Sequence, residues 1–90
     1  MIRRVNAIYS GRVQGVGFRY RVSELAALFN VTGTVRNRPD GAVELVAEGI
    51  DSELDAFLDA IRQRMRENIR SESVHRDAAN GAFDSFQIVH

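Results

Sequence analysis

The sequence predicts an α+β fold in which two helices cover one face of an antiparallel sheet. Two segments carry apolar residues at helical spacing, and each is flanked by segments of β-branched or alternating residues. The strand–helix–strand order occurs twice, with turn-forming residues between the elements. The chain has 90 residues, of which 44% are hydrophobic and 27% charged, which indicates a single domain over residues 1–90 with a modest core.

The first half begins with a predicted strand over residues 2–10 and a glycine-rich turn over residues 11–18. Four apolar residues follow at i, i+3, i+4 and i+7, which places them on one face of a helix: Val22, Leu25, Ala26 and Phe29. This pattern predicts a helix that ends near Asn30.

Residues 31–48 are predicted to form a β-hairpin. The β-branched run over residues 31–37 is typical of a strand, and Pro39-Asp40-Gly41 is a turn signal. Residues 42–48 alternate apolar and acidic side chains, which indicates a strand with one face buried.

A second helix follows, because Gly49 is expected to end the strand and Asp51 and Ser52 are candidate N-caps. An apolar stripe with helical spacing supports it: Leu54, Phe57, Leu58, Ile61 and Met65.

Residues 71–77 are predicted to form a weak strand, Asn80-Gly81 a turn, and residues 83–90 a closing strand. The resulting βαββαβ order is that of the ferredoxin-like split β-α-β sandwich. Since this fold supports many activities, function must be inferred from particular residues.

Composition narrows the function classes. The chain has no cysteine, and His75 and His90 are its only histidines, so the residues complete no metal shell and indicate no cofactor. No segment could span a bilayer or act as a signal peptide, which predicts a cytoplasmic protein without membrane contact. The formal net charge is zero, which gives no bulk attraction to nucleic acid.

Charge is nevertheless unevenly distributed along the chain. Residues 1–39 contain seven arginines and one acid, giving +6, whereas residues 40–90 contain five arginines and 11 acids, giving −6. A basic N-terminal half suits an anionic ligand, although chance alone could produce this asymmetry.

The glycine-rich turn is a candidate anion site. Gly11, Gly15 and Gly17 lie between a strand and a helix, where successive backbone N–H groups can converge on an anion. Arg19 lies near the helix start, and its planar guanidinium can bind two phosphate oxygens at once. The turn is not a phosphate-binding loop of the G-x-x-x-x-G-K-[ST] type, because the chain has no lysine. A tight turn without a ligand is the alternative.

Asn37 is the second candidate, at the end of the predicted second strand. Asparagine is common at hairpin ends for local reasons. In a split β-α-β fold, however, this strand end can face the glycine-rich turn, and an amide there can bind a water molecule beside a phosphate.

At these two segments the sequence resembles the acylphosphatase family. The matching residues run from Gly11 to Arg19 (GRVQGVGFR) and from Gly33 to Asn37 (GTVRN), continuing into Asp40–Glu44. The likeness covers most of the chain, including Phe83, Phe86 and Ile88 near its end.

The resemblance implies an enzyme that hydrolyses small acyl phosphates to carboxylate and phosphate without metal or cofactor. It implies that Arg19 binds the phosphate and Asn37 orients the attacking water. It also implies that backbone N–H groups of the loop hold the phosphate: Gln14, Gly15, Val16, Gly17 and Phe18. Such chemistry relies on positioning and preorganised donors, since the leaving carboxylate is a weak base.

The sequence departs from the family pattern at Thr34, in the connection over residues 66–70, and at His90, where many relatives have an aromatic residue. The resemblance leaves open whether the end of the chain contacts Arg19. The departure at residues 66–70 is expected to alter the connection between the second helix and the next strand, and not the site.

Two other functions stay open. One is a catalytically silent, phosphate-binding relative, such as the domain that begins the hydrogenase-maturation carbamoyl-transfer protein. The other is an RRM-like RNA-binding module, which would need stacking aromatics on its central strands, where only Tyr9 is aromatic. Because no extended apolar face is left unassigned, we expect a monomer.

Overall fold

The computed structural model describes residues 1–90 and contains five strands and two helices. In chain order they are β1 (Ile2–Gly11), α1 (Phe18–Ala26), β2 (Thr32–Asn37), β3 (Val43–Ile50), α2 (Asp51–Arg64), β4 (Ile69–Ala78) and β5 (Phe86–Val89). The predicted βαββαβ order is confirmed, and the closing strand predicted over residues 83–90 is present as β5. No helix is both long enough and apolar enough to cross a membrane.

The strands form one sheet in the order β4-β1-β3-β2-β5. The three pairings among β4, β1, β3 and β2 are antiparallel, whereas β5 pairs with β2 in parallel, so the sheet is mixed and not wholly antiparallel. These pairings make β1, β2 and β5 run in the same direction. Their C-terminal ends therefore meet at one edge of the sheet, and this edge carries the candidate site.

The core lies between the sheet and the two helices. Alternate residues of the central strands are fully buried, as a strand with one covered face requires, and Val5, Ala7 and Leu45 are examples. The apolar stripe predicted for α2 is buried on the same side. Phe57 of α2 packs against Phe29 and Phe86, with ring centroids 6.0 and 5.7 Å apart. Burial of each large apolar side chain contributes about 1.5–3 kcal/mol.

The opposite face of the sheet is polar. Arg4 pairs with Glu48 at 2.8 Å, and Arg36 pairs with Glu44 at 2.6 Å. Neither central strand presents an aromatic side chain on this face, because Tyr9 lies in the core 5.5 Å from the Phe18 ring. Burial also raises the pKa of Tyr9 above its ordinary value. The RRM-like alternative therefore lacks the stacking residues on which it depends.

Two expectations around the start of α2 are wrong. Gly49 does not end β3, which continues to Ile50. A Cβ at Gly49 would lie 2.9 Å from the Asn30 carbonyl oxygen, so the glycine permits a close approach of two chain segments. Neither Asp51 nor Ser52 caps the helix, which begins at Asp51 after Ile50 without a side-chain cap.

Two acidic side chains in the first turn of α2 have partners on other elements. Asp51 pairs with Arg76 of β4 at 2.8 Å, and Glu53 accepts a hydrogen bond of 2.7 Å from the Asn30 N–H. Both carboxylates still lie in the first turn of α2, where the helix dipole favours negative charge.

Other boundaries differ by a few residues. Helix α1 ends at Ala26 and not near Asn30, because the chain turns over residues 27–30. The weak strand predicted over residues 71–77 is the ten-residue β4, which gains regular pairing along β1. The closing strand predicted over residues 83–90 is regular only from Phe86 to Val89.

Candidate active site

A cleft of about 260 Å³ lies at the sheet edge where β1, β2 and β5 end. The loop after β1, the first turn of α1, the end of β2 and the chain after β5 all contribute to it. Its lining residues are Val13, Gly15, Gly17, Phe18, Arg19, Tyr20, Asn37, Ile88 and His90. The cleft thus brings together Arg19 and Asn37, which are 18 positions apart in the sequence.

The loop between β1 and α1 needs glycine for its conformation. Gly15 and Gly17 have φ angles of +73° and +78°, in the left-handed region that other residues adopt at a cost. A Cβ atom on either glycine would meet no atom within 4 Å, so packing does not exclude a side chain there. The backbone conformation is what disfavours a side chain at these two positions. Glycine also leaves the loop backbone uncovered beside the cleft. Gly17 directly precedes α1, whose first N–H groups have no partner within the helix.

Arg19 projects from the first turn of α1 and is half-buried. Its Nη1 donates a hydrogen bond of 3.2 Å to the Val89 carbonyl oxygen and lies 3.4 Å from Nδ1 of His90. It forms no ion pair with a carboxylate side chain. Its positive charge is therefore uncompensated, and most of its N–H donors remain available to an anion.

Asn37 is the last residue of β2 and is half-buried at the cleft. Its Oδ1 atom is buried and has no hydrogen-bond partner. A buried acceptor without a partner costs roughly 1–3 kcal/mol, which makes such atoms rare in stable proteins. The side chain at the cleft therefore keeps one unpartnered acceptor.

Gln14 connects the loop to the β2–β3 hairpin. Its Nε2 donates to the carbonyl oxygens of Arg38 and Ala42, at 2.8 and 2.9 Å. The hairpin end is itself fixed, because the Ala42 N–H donates to Asp40 at 3.1 Å and holds the pKa of that carboxyl below its usual value. The Gln14 side chain therefore holds the loop at a fixed position relative to Asn37.

The other predicted loop residues fall into two groups. Gly15, Gly17 and Phe18 line the cleft. Val16 instead packs its side chain against the hydrophobic core, so only its backbone is available to a ligand.

The connection over residues 66–70 does more than join α2 to β4. Asn68 forms two hydrogen bonds with Arg12, one from its side-chain amide to the Arg12 carbonyl (3.0 Å) and one from the Arg12 N–H to its own carbonyl (2.9 Å). The expectation that this connection leaves the site untouched is therefore incomplete, because it supports the start of the loop. Thr34, in contrast, lines a separate depression with Phe83 and Gln87.

The basic character of residues 1–39 is partly neutralised by ion pairs. Four of the seven arginines pair with carboxylates: Arg3, Arg4, Arg36 and Arg38. The three without such a partner are Arg12, Arg19 and Arg21, on the loop and the first turns of α1. The unpaired arginines of residues 1–39 therefore lie within residues 12–21, and Arg19 is the one that lines the cleft.

Sequence reasoning missed Val13, Tyr20 and Ile88 as cleft residues and left His90 unresolved. Tyr20 follows Arg19 directly and is largely exposed at the rim. Ile88 and His90 reach the cleft only because β5 lies parallel to β2, with Arg36 opposite Val89. The structure contains no group of three or more His, Cys, Asp or Glu side chains arranged to hold a metal ion.

Comparison with known proteins assigns the family. The acylphosphatase family model matches residues 5–88. An acylphosphatase of Methanospirillum hungatei is 46% identical over 74 residues, which cover 82% of this chain and 81% of that protein. One of Syntrophus aciditrophicus is 40% identical over 91 residues, covering 100% of this chain and 95% of that protein.

Solved structures agree with this assignment. The crystal structure of acylphosphatase from Bacillus subtilis superposes with a TM-score of 0.87 at 35% identity, and the match covers both chains completely. Full-length HypF matches with a TM-score of 0.80 at 26% identity, covering 100% of this chain and 12% of HypF. With the family model spanning nearly all of its residues, this chain belongs to the acylphosphatase family, enzymes that hydrolyse acyl phosphates.

Proposed function

We propose that this acylphosphatase uses Arg19 to bind the phosphate of its substrate and Asn37 to position the attacking water. The observation that carries the proposal is the pairing of two unsatisfied groups in one cleft. Arg19 has no carboxylate partner, and the Asn37 amide oxygen is a buried acceptor without a donor. An anion would pair with Arg19, and a water molecule would pair with the Asn37 amide once a small movement of that side chain exposes its oxygen to the cleft.

Phosphate binding is assigned to the loop and Arg19 together. Backbone N–H groups of residues 14–18 and the first turn of α1 would donate to the phosphate oxygens, aided by the positive end of the helix. The Arg19 guanidinium would bind two of those oxygens through its planar fork. These donors are fixed before the substrate arrives, so little reorganisation is needed as charge shifts in the transition state.

The chemical step is the attack of water on phosphorus. A bond forms between the water oxygen and phosphorus, and the bond from phosphorus to the acyl oxygen breaks with its electron pair. The carboxylate leaves without protonation because it is a weak base. An asparagine amide cannot accept a proton at neutral pH, so Asn37 orients the water and the proton passes to a phosphate oxygen.

The assembly and location are also proposals. We propose that residues 1–90 act as a single domain and as a monomer in the cytoplasm, on small acyl phosphates and without a metal, cofactor or nucleic acid. The monomer is supported by the edge strand β4, which carries serine, histidine and charged side chains along its length. Polar and charged edges of this kind discourage pairing with a second sheet.

Hydrolysis of benzoyl phosphate in the presence of EDTA tests the proposed function. We expect rapid turnover by the wild-type chain, with the same rate after chelation. A folded chain that binds sulfate at the cleft but releases no benzoate would instead support the silent, phosphate-binding alternative. Inhibition by EDTA that added Mg²⁺ or Zn²⁺ reverses would contradict the metal-free mechanism.

Replacement of Gln14 by methionine should lower kcat about 10- to 100-fold with a smaller effect on KM. Methionine has a similar length but no donor, so the Arg38 and Ala42 carbonyls lose their partner and the loop loses its fixed distance from Asn37. Misplacement by about 1 Å can cost a factor of 10² in rate.

The control for this variant is Gln63→Met on α2, where the side chain is exposed and bonds only to Asp59. Urea unfolding of both variants separates stability from catalysis, and Gln14→Met should lose about 1–3 kcal/mol. Unchanged kinetics in a destabilised Gln14→Met would show that the two hydrogen bonds serve the fold alone.

A further inference from the structure

His90 has a position in the cleft that the proposed mechanism does not use. The pairing of β5 with β2 places Val89 opposite Arg36, so His90 lies one step further along, beside Asn37. Both residues line the same cleft. The imidazole is therefore held at the end of the sheet, on the side where the substrate phosphate would bind.

A long contact with Arg19 places the ring beside the candidate anion site. Nδ1 of His90 lies 3.4 Å from Nη1 of Arg19, which also donates to the Val89 carbonyl oxygen at 3.2 Å. In its neutral form the imidazole accepts from the guanidinium through Nδ1. In its protonated form both ring nitrogens are donors, and the ring becomes a second cation beside Arg19.

Few other charged groups face His90. Helix α1 contributes Arg19 and the phenol of Tyr20, and the end of β2 contributes the neutral Asn37. The flanking arginines of β2 are paired, Arg36 with Glu44 and Arg38 with Asp40. No acidic side chain lines the cleft, so an anionic ligand bound there would add favourable charge beside a protonated imidazole.

We propose that His90 is a second cationic ligand for the phosphate group and makes anion affinity depend on pH. This inference rests on the proposed binding of phosphate at Arg19. A dianion within a few ångströms favours the charged form of an imidazole, and linkage requires that protonation favours the dianion by the same factor. An imidazole is the side chain whose charge most readily changes near neutral pH, so the pH dependence of anion affinity tests this assignment.

Sulfate is a suitable probe because it remains a dianion at both pH 5.5 and pH 8, so only the protein titrates. Its dissociation constant can be followed at the cleft itself through the backbone amide signals of Gly15 and Gly17 in NMR spectra of the full chain. We expect sulfate to bind about tenfold more tightly at pH 5.5 than at pH 8. This factor corresponds to a moderate coupling between protonation of the imidazole and anion binding at a partly solvated site.

Three variants identify the residue responsible. His90→Gln should bind sulfate equally at both pH values and match the wild type at pH 8. His90→Lys, which keeps a positive charge, should bind tightly at both. His75→Gln, which removes the other histidine, exposed on β4, should behave as wild type.

The same pH dependence in the wild type and His90→Gln would overturn the proposal, and so would an absence of sulfate binding at the cleft at either pH. Turnover of benzoyl phosphate, measured on the same samples, separates this result from the proposed function. Loss of turnover with pH-dependent sulfate binding would refute the proposed catalysis and retain the role of His90. Normal turnover with pH-independent sulfate binding would refute the role of His90 and retain the proposed catalysis.

Discussion

Replacement of Arg19 by alanine should lower kcat/KM for benzoyl phosphate by about three decades or more and raise the sulfate dissociation constant strongly. The arginine contributes the only cationic side chain in the cleft that is charged at every assay pH. It can form two charge-assisted hydrogen bonds to one phosphate. A single arginine that stabilises phosphoryl transfer accounts for about 10³–10⁵ in rate elsewhere, and three decades correspond to about 4 kcal/mol of transition-state stabilisation.

Arg21→Ala is the matched control, because Arg21 lies on the same helix, is exposed and does not line the cleft. Its effect on kcat/KM should stay within about threefold, as expected for a small change in steering. Arg19→Lys separates charge from geometry, since lysine keeps the charge and loses the planar fork. Activity of Arg19→Lys equal to that of wild type would show that the fork is not needed.

Stability should change little in Arg19→Ala. The side chain is half-buried and forms one hydrogen bond to a carbonyl oxygen and one long contact to an imidazole, but no ion pair. Loss of activity together with an unchanged urea midpoint would place the effect in the site. A large loss of stability would instead assign Arg19 a role in holding β5 against α1.

The element order could be predicted because its signals are local. The helical spacing of Leu54, Phe57 and Ile61 and the alternation of residues 42–48 each occur within a few turns or residues of chain. The position of β5 could not be predicted in the same way. Its parallel pairing with β2 joins residues more than 50 positions apart and depends on which sheet edge remains open after the other strands pair.

The residues of the candidate site also differ in whether local sequence could predict them. Arg19 and the glycines follow one another in the sequence, and Asn37 ends a strand whose direction the split β-α-β order determines. His90 reaches the cleft only through the parallel pairing of β5. Asn68, which directly precedes β4, reaches the loop only because the start of β4 pairs with the end of β1. The family resemblance supplied the roles of Arg19 and Asn37, whereas the hydrogen bonds of Gln14 and the contact of His90 became visible only in three dimensions.

Replacement of Asn37 by alanine should leave sulfate affinity within about twofold of wild type and lower kcat by about two to three decades. The amide contributes no charge to the cleft, so anion binding at Arg19 and the loop should persist. Its loss removes one positioned hydrogen-bonding group, which costs about 10²–10³ in kcat when that group acts mainly in the transition state. Steady-state kinetics with benzoyl phosphate and NMR titration with sulfate measure the two quantities separately.

Thr34→Ala is the control for the same strand, since Thr34 precedes Asn37 by three positions and lines a separate depression. Its kcat should remain near that of wild type, which would also show that a small residue at this departure from the family pattern does not limit the rate.

Asn37→Ala and Arg19→Ala should fail in different ways, one in turnover alone and the other in both turnover and anion binding. Equal losses of sulfate affinity in the two variants would contradict this division of roles. In that case Asn37 would be a phosphate ligand, and the position of the attacking water would have to be set by another group that lines the cleft.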